Sequence, residues 1–176
     1  MTRSLRILFA GGGTGGHLIP AIRLADGCRD YAKEFEFPAP EIGFVGNAEG
    51  MEAEILLKKR EKFFPVEVQG FHRGNLRTMF RKNLRFFGNL WKSYRDSREI
   101  MTRFNPDIVV GTGGYVSGPP LFAATRKKIP TLIQEQNSYP GITTRLLAAR
   151  VDEIHVAYKE AATRLKKKIV KFREIR

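Results

Sequence analysis

The amino-acid sequence predicts one α/β domain, in which a parallel sheet carries helices on both faces. Short apolar runs of strand length alternate with longer segments of helical periodicity along the whole chain. Glycine-rich loops follow two of the apolar runs, at Gly11–Gly16 and Gly111–Gly118. The length of 176 residues, without a low-complexity linker, fits a single domain.

The predicted elements follow one another in a regular order. Apolar runs predict six strands, at Leu5–Ala10, Ile42–Val45, Phe64–Val68, Asp107–Val110, Thr131–Gln134 and Glu153–Val156. Helices are predicted between and after them, at Leu18–Lys33, Met51–Arg60, Leu76–Phe104, from Pro119 onward, at Ile142–Ala149 and at Tyr158–Lys167. This alternation is typical of a Rossmann-like sheet, which binds ligands outside the carboxyl ends of its strands. Both glycine-rich loops fall at that edge.

Charge and composition bound the class of protein. The net charge of +13 is concentrated in residues 58–103 and 164–176, and such surfaces suit nucleic acid, anionic lipid or a phosphorylated substrate. The single cysteine, Cys28, cannot form an internal disulfide, which fits a reducing compartment. The apolar start is too short for a secretion signal, and no apolar stretch approaches the roughly 18 residues of a membrane-spanning helix. We therefore expect a cytoplasmic protein.

The first loop reads Gly11-Gly12-Gly13-Thr14-Gly15-Gly16-His17. Its glycines allow backbone amides to approach an anion, and the helix that follows adds a favourable dipole. The loop also contains the dinucleotide pattern G-x-G-x-x-G, but the second strand ends in Asn47 instead of the acidic residue that would hold a ribose. No lysine follows the glycines, so the loop is not a P-loop. A tight turn without a ligand is the alternative.

Two further segments reach the same edge. The second loop, Gly111–Pro119, adds flexible amides, the phenol of Tyr115 and the hydroxyl of Ser117. The third, Gln134–Gly141, places four polar residues after a strand, and these suit sugar hydroxyls. The alternatives are a purely structural loop and a solvated turn.

Together these three segments resemble the N-terminal signatures of the MurG family of glycosyltransferases, over about residues 4–165. The resemblance implies the N-terminal half of a GT-B glycosyltransferase, in which residues 1–176 form the acceptor-binding, Rossmann-like domain and the C-terminal donor-binding domain is absent. It implies transfer of N-acetylglucosamine from UDP-N-acetylglucosamine to lipid I, giving lipid II for peptidoglycan synthesis. Half of the active site would then be missing, and we expect no activity from the isolated domain.

The resemblance also implies roles for individual residues. His17 matches the position proposed as the general base, which would accept a proton as the acceptor's 4-hydroxyl attacks the donor with inversion; a capping or hydrogen-bonding role is the alternative. Amides of the two glycine loops would hold the lipid's pyrophosphate. The residues expected to bind substrate are Thr14, Gly15, Gly16, Gly113, Gly114, Tyr115, Ser117, Asn137 and Arg176.

The chain departs from the family pattern at two places. Thr144 stands where the family usually has asparagine, and the domain-ending Gly-Asn-Pro-x-Arg stretch is reduced to Phe172–Arg176, so the match of Arg176 is loose. No Asp-x-Asp pair occurs, and we expect neither a protein-bound metal nor a cofactor. His72 and His155 are expected to be structural.

Two other functions stay open. One is a non-catalytic acceptor- or membrane-binding subunit that needs a separate donor-half partner. The other is a nicotinamide-cofactor domain, against which Asn47 counts.

The long helix predicts contact with a membrane. Its apolar stripe, expected to be buried, consists of Phe80, Leu84, Phe87, Trp91, Tyr94 and Met101. Leu76, Met79, Phe86 and Leu90 lie off that stripe among cations, a pattern typical of surfaces that enter anionic headgroups. We therefore expect peripheral attachment to the cytoplasmic face of the cell membrane through about residues 72–92. The alternatives are a wide buried helix face and, less favoured, nucleic-acid binding; no nucleic-acid partner is expected.

Overall fold

A computed structural model describes residues 3–68, 76–165 and 170–172 of the chain, with the backbone alone for 76–87 and 170–172. Seven strands lie in these ranges: β1 Arg6–Gly11, β2 Glu41–Asn47, β3 Lys62–Val66, β4 Ile108–Gly113, β5 Thr131–Glu135, β6 Glu153–Val156 and β7 Val170–Phe172. The helices are α1 Gly15–Glu34, α2 Met51–Lys58, α3 Leu76–Phe104, α4 Gly118–Arg126, α5 Ile142–Leu147 and α6 Lys159–Arg164. A single 3₁₀ turn, Tyr115–Ser117, joins β4 to α4.

The strands form one parallel sheet in the order β3-β2-β1-β4-β5-β6-β7. The chain builds outward in one direction from β1 and then, from β4, in the other. The order therefore reverses between β1 and β4, and such a reversal point is where open parallel sheets bind their ligands. Register also shifts at this point, since Ala10 pairs with Gly111 but Gly11 pairs with Gly113.

The strands alternate between two apolar layers, as the pleat requires. Ile7 and Phe9 face a layer built with α1 and α2, in which Leu18 and Leu56 are buried. The other layer lies under α3 and α4 and contains Leu8, Val45, Val109, Met101, Leu121, Ile133 and Ile154. Burial on both faces explains why the central strands read as continuous apolar runs.

The predicted fold class is confirmed, with differences at the ends of elements. Helix α1 begins at Gly15 instead of Leu18, which places His17 within its first turn. Helix α2 ends at Lys58, because Arg60 takes a positive φ of 56° that stops the helix. Strand β7 was not predicted: it has only three residues in a lysine-rich segment, and its pairing with β6 comes from the sheet.

Three further elements differ from the prediction by a few residues at their ends. The third strand begins and ends two residues earlier than predicted, at Lys62–Val66. Helix α5 ends at Leu147. Helix α6 ends at Arg164, because Leu165 is already extended.

In the part of the chain that the structure describes, no helix is long and apolar enough to cross a membrane.

The stripe predicted to be the buried face of α3 is partly wrong. Tyr94 packs against Phe122 of α4 and Met101 is in the core, but the side chain of Trp91 is 63% exposed. The helix instead buries Ser93, Ser97, Ile100, Met101 and Phe104. Trp91 lies two residues, or about 200° of helix rotation, from Ser93. Two small serines one turn apart are fully buried on this face of α3, so hydrophobicity alone misplaced it.

Candidate functional site

His17 lies at the reversal point of the sheet, in the first turn of α1. Its Nδ1 is 3.1 Å from the carbonyl oxygen of Thr112, near the end of β4. The hydroxyl of the buried Thr112 donates in return to the His17 carbonyl at 2.7 Å. These two bonds join the loops after β1 and β4, and they hold the imidazole at the carboxyl edge of the sheet.

The Nδ1 atom of His17 is anchored in either tautomer. A carbonyl oxygen only accepts hydrogen bonds, so a proton on Nδ1 is donated to Thr112 and leaves a lone pair on Nε2. In this tautomer the amide nitrogen of Gln136 cannot donate to Nδ1, so the amide has to turn its oxygen, which is buried without a partner, toward the ring. With the proton on Nε2, Nδ1 accepts from the side-chain amide of Gln136, whose nitrogen is 2.7 Å away and also donates to the Gly16 carbonyl. No described residue hydrogen-bonds to Nε2. That nitrogen can therefore exchange a proton with a ligand.

Gly113 and Gly114 are required by their contact with the imidazole. Both have positive φ, 104° and 78°. A Cβ on Gly113 would lie 2.7 Å from His17 Nδ1, and one on Gly114 would lie 2.2 Å from the carbonyl oxygen of Gly12. Their close approach seats the ring between the two loops. Contact of these glycines with substrate stays a prediction.

Tyr115 and Ser117 continue the second loop in different ways. The ring of Tyr115 is partly exposed and lies over Gly13, where a Cβ would be 2.9 Å from Cε1. Its phenol is open to a ligand. Ser117 is buried, and its hydroxyl donates to the Gly114 carbonyl at 2.9 Å. This bond favours a role in shaping the loop over direct contact with a substrate.

The amides of the first loop point in two directions. The N–H of Gly13 turns inward and donates to Glu52, so it is not available to an anion. Thr14 is the N-cap of α1, and its side chain makes no capping bond. The amides of Gly15 and Gly16 have no partner four residues back in the helix, and they remain the donors of this loop.

Glu52 is a residue that sequence reasoning missed. It is fully buried in the first turn of α2, where one carboxylate oxygen accepts from the N–H groups of Gly13 at 3.0 Å and Asn47 at 3.1 Å. Three glycines leave room for it, since a Cβ on Gly12, Gly46 or Gly50 would lie 2.1 to 2.5 Å from its side chain. Glu52 thus ties the first loop to the end of β2. The available signal was an acidic residue in the first turn of a helix, preceded by Gly46 and Gly50.

Glu135 organises the third segment in a similar way. This buried carboxylate, at the end of β5, accepts from the backbone and side-chain nitrogens of Asn137, at 3.1 and 2.8 Å. It also accepts from the Gly141 N–H at 3.1 Å and the Thr144 hydroxyl at 2.7 Å. Asn137 is left exposed with its side-chain oxygen unengaged. Thr144 therefore supplies a donor at the position where the related family has asparagine.

The other predicted residues fall elsewhere or outside the described ranges. His155 lies in β6, and its Nε2 is 2.9 Å from a carboxylate oxygen of Glu153. Its structural role stays a prediction. His72 and Arg176 lie outside the described residues. Within the described ranges, 3–68, 76–165 and 170–172, no group of three or more His, Cys, Asp or Glu residues could hold a metal ion.

Part of the predicted membrane segment can be described. Leu90 is 38% exposed, as predicted, beside the exposed Trp91. Lys92 follows and pairs with Glu67 at 2.7 Å. Residues 72–75 lie outside the described part of the chain, and 76–87 are known as backbone only, so the rest of the segment stays a prediction.

The sequence is similar to those of known glycosyltransferases. The chain is 43% identical over 164 residues to the UDP-N-acetylglucosamine–N-acetylmuramyl-(pentapeptide) pyrophosphoryl-undecaprenol N-acetylglucosamine transferase of Clostridioides difficile, covering 91% of the chain and 37% of that relative. The enzyme of the same name from Lactococcus lactis subsp. lactis is 42% identical over 157 residues, covering 89% and 42%. The chain thus spans about two fifths of the length of the curated relatives it matches.

Solved structures give the same result. The crystal structure of Acinetobacter baumannii MurG superposes with a TM-score of 0.73 at 25% identity, covering 96% of this chain and 45% of that one. The glycosyltransferase SsfS6 of Streptomyces sp. SF2575, at 13% identity and a TM-score of 0.54, covering 86% and 48%, shares the fold. The resemblance inferred from three motifs is confirmed. Residues 7–156 match the model of the glycosyltransferase family 28 N-terminal domain, and the chain belongs to that family.

Proposed function

We propose that this chain is the acceptor-binding part of an inverting N-acetylglucosaminyltransferase. Its donor would be UDP-N-acetylglucosamine and its acceptor lipid I, the undecaprenyl-diphosphate-linked muramyl pentapeptide, giving lipid II. Residues 1–176 would form the acceptor-binding domain, and the part of the relatives that this chain does not match would bind most of the donor. Family membership and the names of relatives about 40% identical support this assignment.

The observation that carries the proposal is the anchoring of His17 at Nδ1. In the reaction, the acceptor hydroxyl oxygen forms a bond to the anomeric carbon while the bond from that carbon to the UDP oxygen breaks. The hydroxyl proton passes to Nε2 of His17. The resulting imidazolium still donates from Nδ1 to the Thr112 carbonyl, which stabilises the positive charge as it forms.

Other residues at the carboxyl edge would bind the two substrates. The open amides of Gly15 and Gly16 suit a phosphate oxygen at the start of α1. The exposed oxygen of Asn137 suits a sugar hydroxyl, and Glu135 fixes the side chain that carries it. Tyr115, above Gly13, would contact the acceptor. No step in this scheme needs a protein-bound metal.

The same assignment includes the membrane face. A polyprenyl-linked acceptor stays in the bilayer, so the enzyme would work as a peripheral protein on the cytoplasmic face. The exposed Leu90 and Trp91, next to the basic segment that precedes them, support attachment through about residues 72–92.

The test is a chimera in which this chain is joined to the unmatched part of the Clostridioides difficile relative. Transfer of labelled N-acetylglucosamine to a lipid I analogue is measured for the parent, His17→Ala and the control His155→Ala. We expect His17→Ala to lower kcat by about 100-fold or more, the scale of general-base catalysis, and His155→Ala to change it little. A folded chimera that binds UDP but transfers no sugar would contradict the proposal.

Residues 1–176 alone should transfer no sugar, because they match only about two fifths of the length of the relatives, and the donor would bind mostly in the remainder. Turnover of UDP-N-acetylglucosamine by the chain alone, in the same assay, would contradict the proposed division of roles. A non-catalytic acceptor-binding subunit would give the same null result alone, but the chimera would then be insensitive to His17→Ala.

A further inference from the structure

Two arginines stack on one tyrosine beside the third segment of the site. The guanidinium carbon of Arg145, in α5, lies 5.3 Å from the ring centroid of Tyr139, and that of Arg164, at the end of α6, lies 4.7 Å from it. A nitrogen of Arg145 also donates to the Tyr139 phenol oxygen at 3.3 Å. Residues from two different helices thus bring two positive charges to the same exposed ring.

These guanidinium groups are held in place without being neutralised. Neither forms an ion pair with a residue that the structure describes, although arginines elsewhere in the fold pair with Asp107, Asp26 and Glu61. Stacking on an aromatic face limits the motion of a guanidinium group and leaves its N–H donors at the rim. Such an arrangement matches a ligand that carries more than one negative charge.

An exposed apolar face adjoins the arginine pair. Ile142 and Leu146, 51% and 72% exposed, are four residues apart and share one side of α5, next to Arg145. A nucleoside diphosphate would bring a polar ribose to this face, whereas a prenyl diphosphate would bring hydrocarbon. The combination of paired cations with exposed aliphatic groups therefore favours a prenyl chain as the neighbour of the phosphates.

The arginine pair is connected to His17 through the third segment. Gln136, which contacts the imidazole, is three residues before Tyr139 in the same loop. In the acceptor, the attacking hydroxyl and the diphosphate are on opposite sides of a sugar ring. A diphosphate site must consequently be displaced from the base along this edge of the sheet, by about the width of one sugar.

We propose that Tyr139, Arg145 and Arg164, with Ile142 and Leu146, bind the diphosphate and first prenyl unit of the acceptor. This inference rests on the proposed function, which it deepens by naming where the acceptor's anionic group binds. Arg145 and Arg164 each donate to one phosphoryl group, and Tyr139 holds both guanidinium groups in register. This assignment replaces the expectation from the family resemblance, in which the amides of the two glycine loops hold the lipid's pyrophosphate. The amides of the first glycine loop are then left for the donor phosphates.

The experiment is isothermal titration of the chain with farnesyl diphosphate, with farnesyl monophosphate and UDP as comparison ligands. We expect Arg145→Gln and Arg164→Gln each to weaken binding of farnesyl diphosphate about tenfold or more, as loss of charge-assisted hydrogen bonds to phosphate does. Arg126→Gln is the matched control. It removes the same charge from an exposed residue at the C-terminal end of α4, and it should not change the affinity for farnesyl diphosphate. Farnesyl monophosphate should bind more weakly and respond less to each variant.

A double variant on the apolar face distinguishes a prenyl diphosphate from a nucleoside diphosphate as the ligand. The double variant Ile142→Ser, Leu146→Ser should weaken binding of farnesyl diphosphate severalfold and leave the affinity for UDP unchanged. Equal affinity of both arginine variants and the parent for farnesyl diphosphate would overturn the inference. The inference would also be overturned if the arginine variants had a lower affinity for UDP and an unchanged affinity for farnesyl diphosphate. Neither result depends on sugar transfer by the chimera, so failure of this inference is distinguishable from failure of the proposed function.

Discussion

His17 and Thr112 hold each other through two hydrogen bonds that cross the reversal point of the sheet. The imidazole Nδ1 is 3.1 Å from the Thr112 carbonyl oxygen, and the Thr112 hydroxyl donates to the His17 carbonyl at 2.7 Å. One bond orients the ring and the other fixes the turn of helix that carries it. The position of the candidate base thus depends on β4 as much as on its own loop.

Thr112→Val should lower kcat of the chimera without abolishing it. The substitution keeps the carbonyl and the shape of the side chain but removes the hydroxyl that holds the first turn of α1. We expect kcat to fall about tenfold, KM for UDP-N-acetylglucosamine to stay unchanged, and the free energy of unfolding to fall by about 1 kcal/mol. Thr112→Ser, which keeps the hydroxyl, should retain most of the activity. A Thr112→Val chimera with the parent's kcat would show that this bond does not position the base.

Gly114→Ala should destabilise the domain, whereas Gly15→Ala should not. A Cβ at Gly114 would meet the Gly12 carbonyl oxygen at 2.2 Å, at a φ of 78° that side chains rarely adopt. We expect a loss of about 2 kcal/mol or more in urea unfolding. At Gly15, the first residue of α1, a Cβ meets nothing within 4 Å, and alanine should leave the free energy of unfolding nearly unchanged. Equal stability of the two variants would contradict the described loop contact.

Thr144→Val should cost stability because it removes one of the four donors to Glu135. The carboxylate is buried, so the lost bond is not replaced by water, and we expect about 1–2 kcal/mol in the free energy of unfolding. Thr144→Asn, which restores the residue usual in the related family, supplies an amide donor and should cost less. Urea unfolding of the three proteins measures both effects. A Thr144→Val protein as stable as the parent would remove Thr144 from the support of this loop.

Leu90→Ser with Trp91→Ser should reduce binding to anionic vesicles. The two side chains are exposed on α3, so their replacement should leave the fold intact, and circular dichroism checks this. The control is Tyr31→Ser with Phe35→Ser, two exposed aromatic residues at the far end of α1.

In sedimentation, parent binding should rise with the fraction of anionic lipid and weaken, without vanishing, in high salt. The Leu90 and Trp91 variant should bind severalfold less, and the control should bind like the parent. Equal binding to neutral and anionic vesicles would contradict the electrostatic part, and no binding to either would contradict attachment itself.

What the sequence determined by itself was local. Apolar runs at strand length, separated by helical segments, predicted the parallel sheet, because burial on both faces leaves the same pattern wherever such a sheet forms. The glycine-rich loops and the segment after β5 predicted which edge carries the site, since each follows a strand directly. His17 and Asn137 could be named from the same motifs.

Tertiary structure decided the contacts that give these residues their geometry. His17 meets Thr112, 95 positions away in the sequence, because β1 and β4 are neighbours in the sheet. Glu52 reaches the first loop only because β2 flanks β1, and three glycines open the space for it. Trp91 is exposed and Ser93 buried because the face that α3 turns to the core is set by the elements packed against it, and not by the hydrophobicity of its own residues. The periodicity of one helix or strand does not predict which elements pack beside it. The contacts of His17 and Glu52 and the buried face of α3 depend on those neighbouring elements.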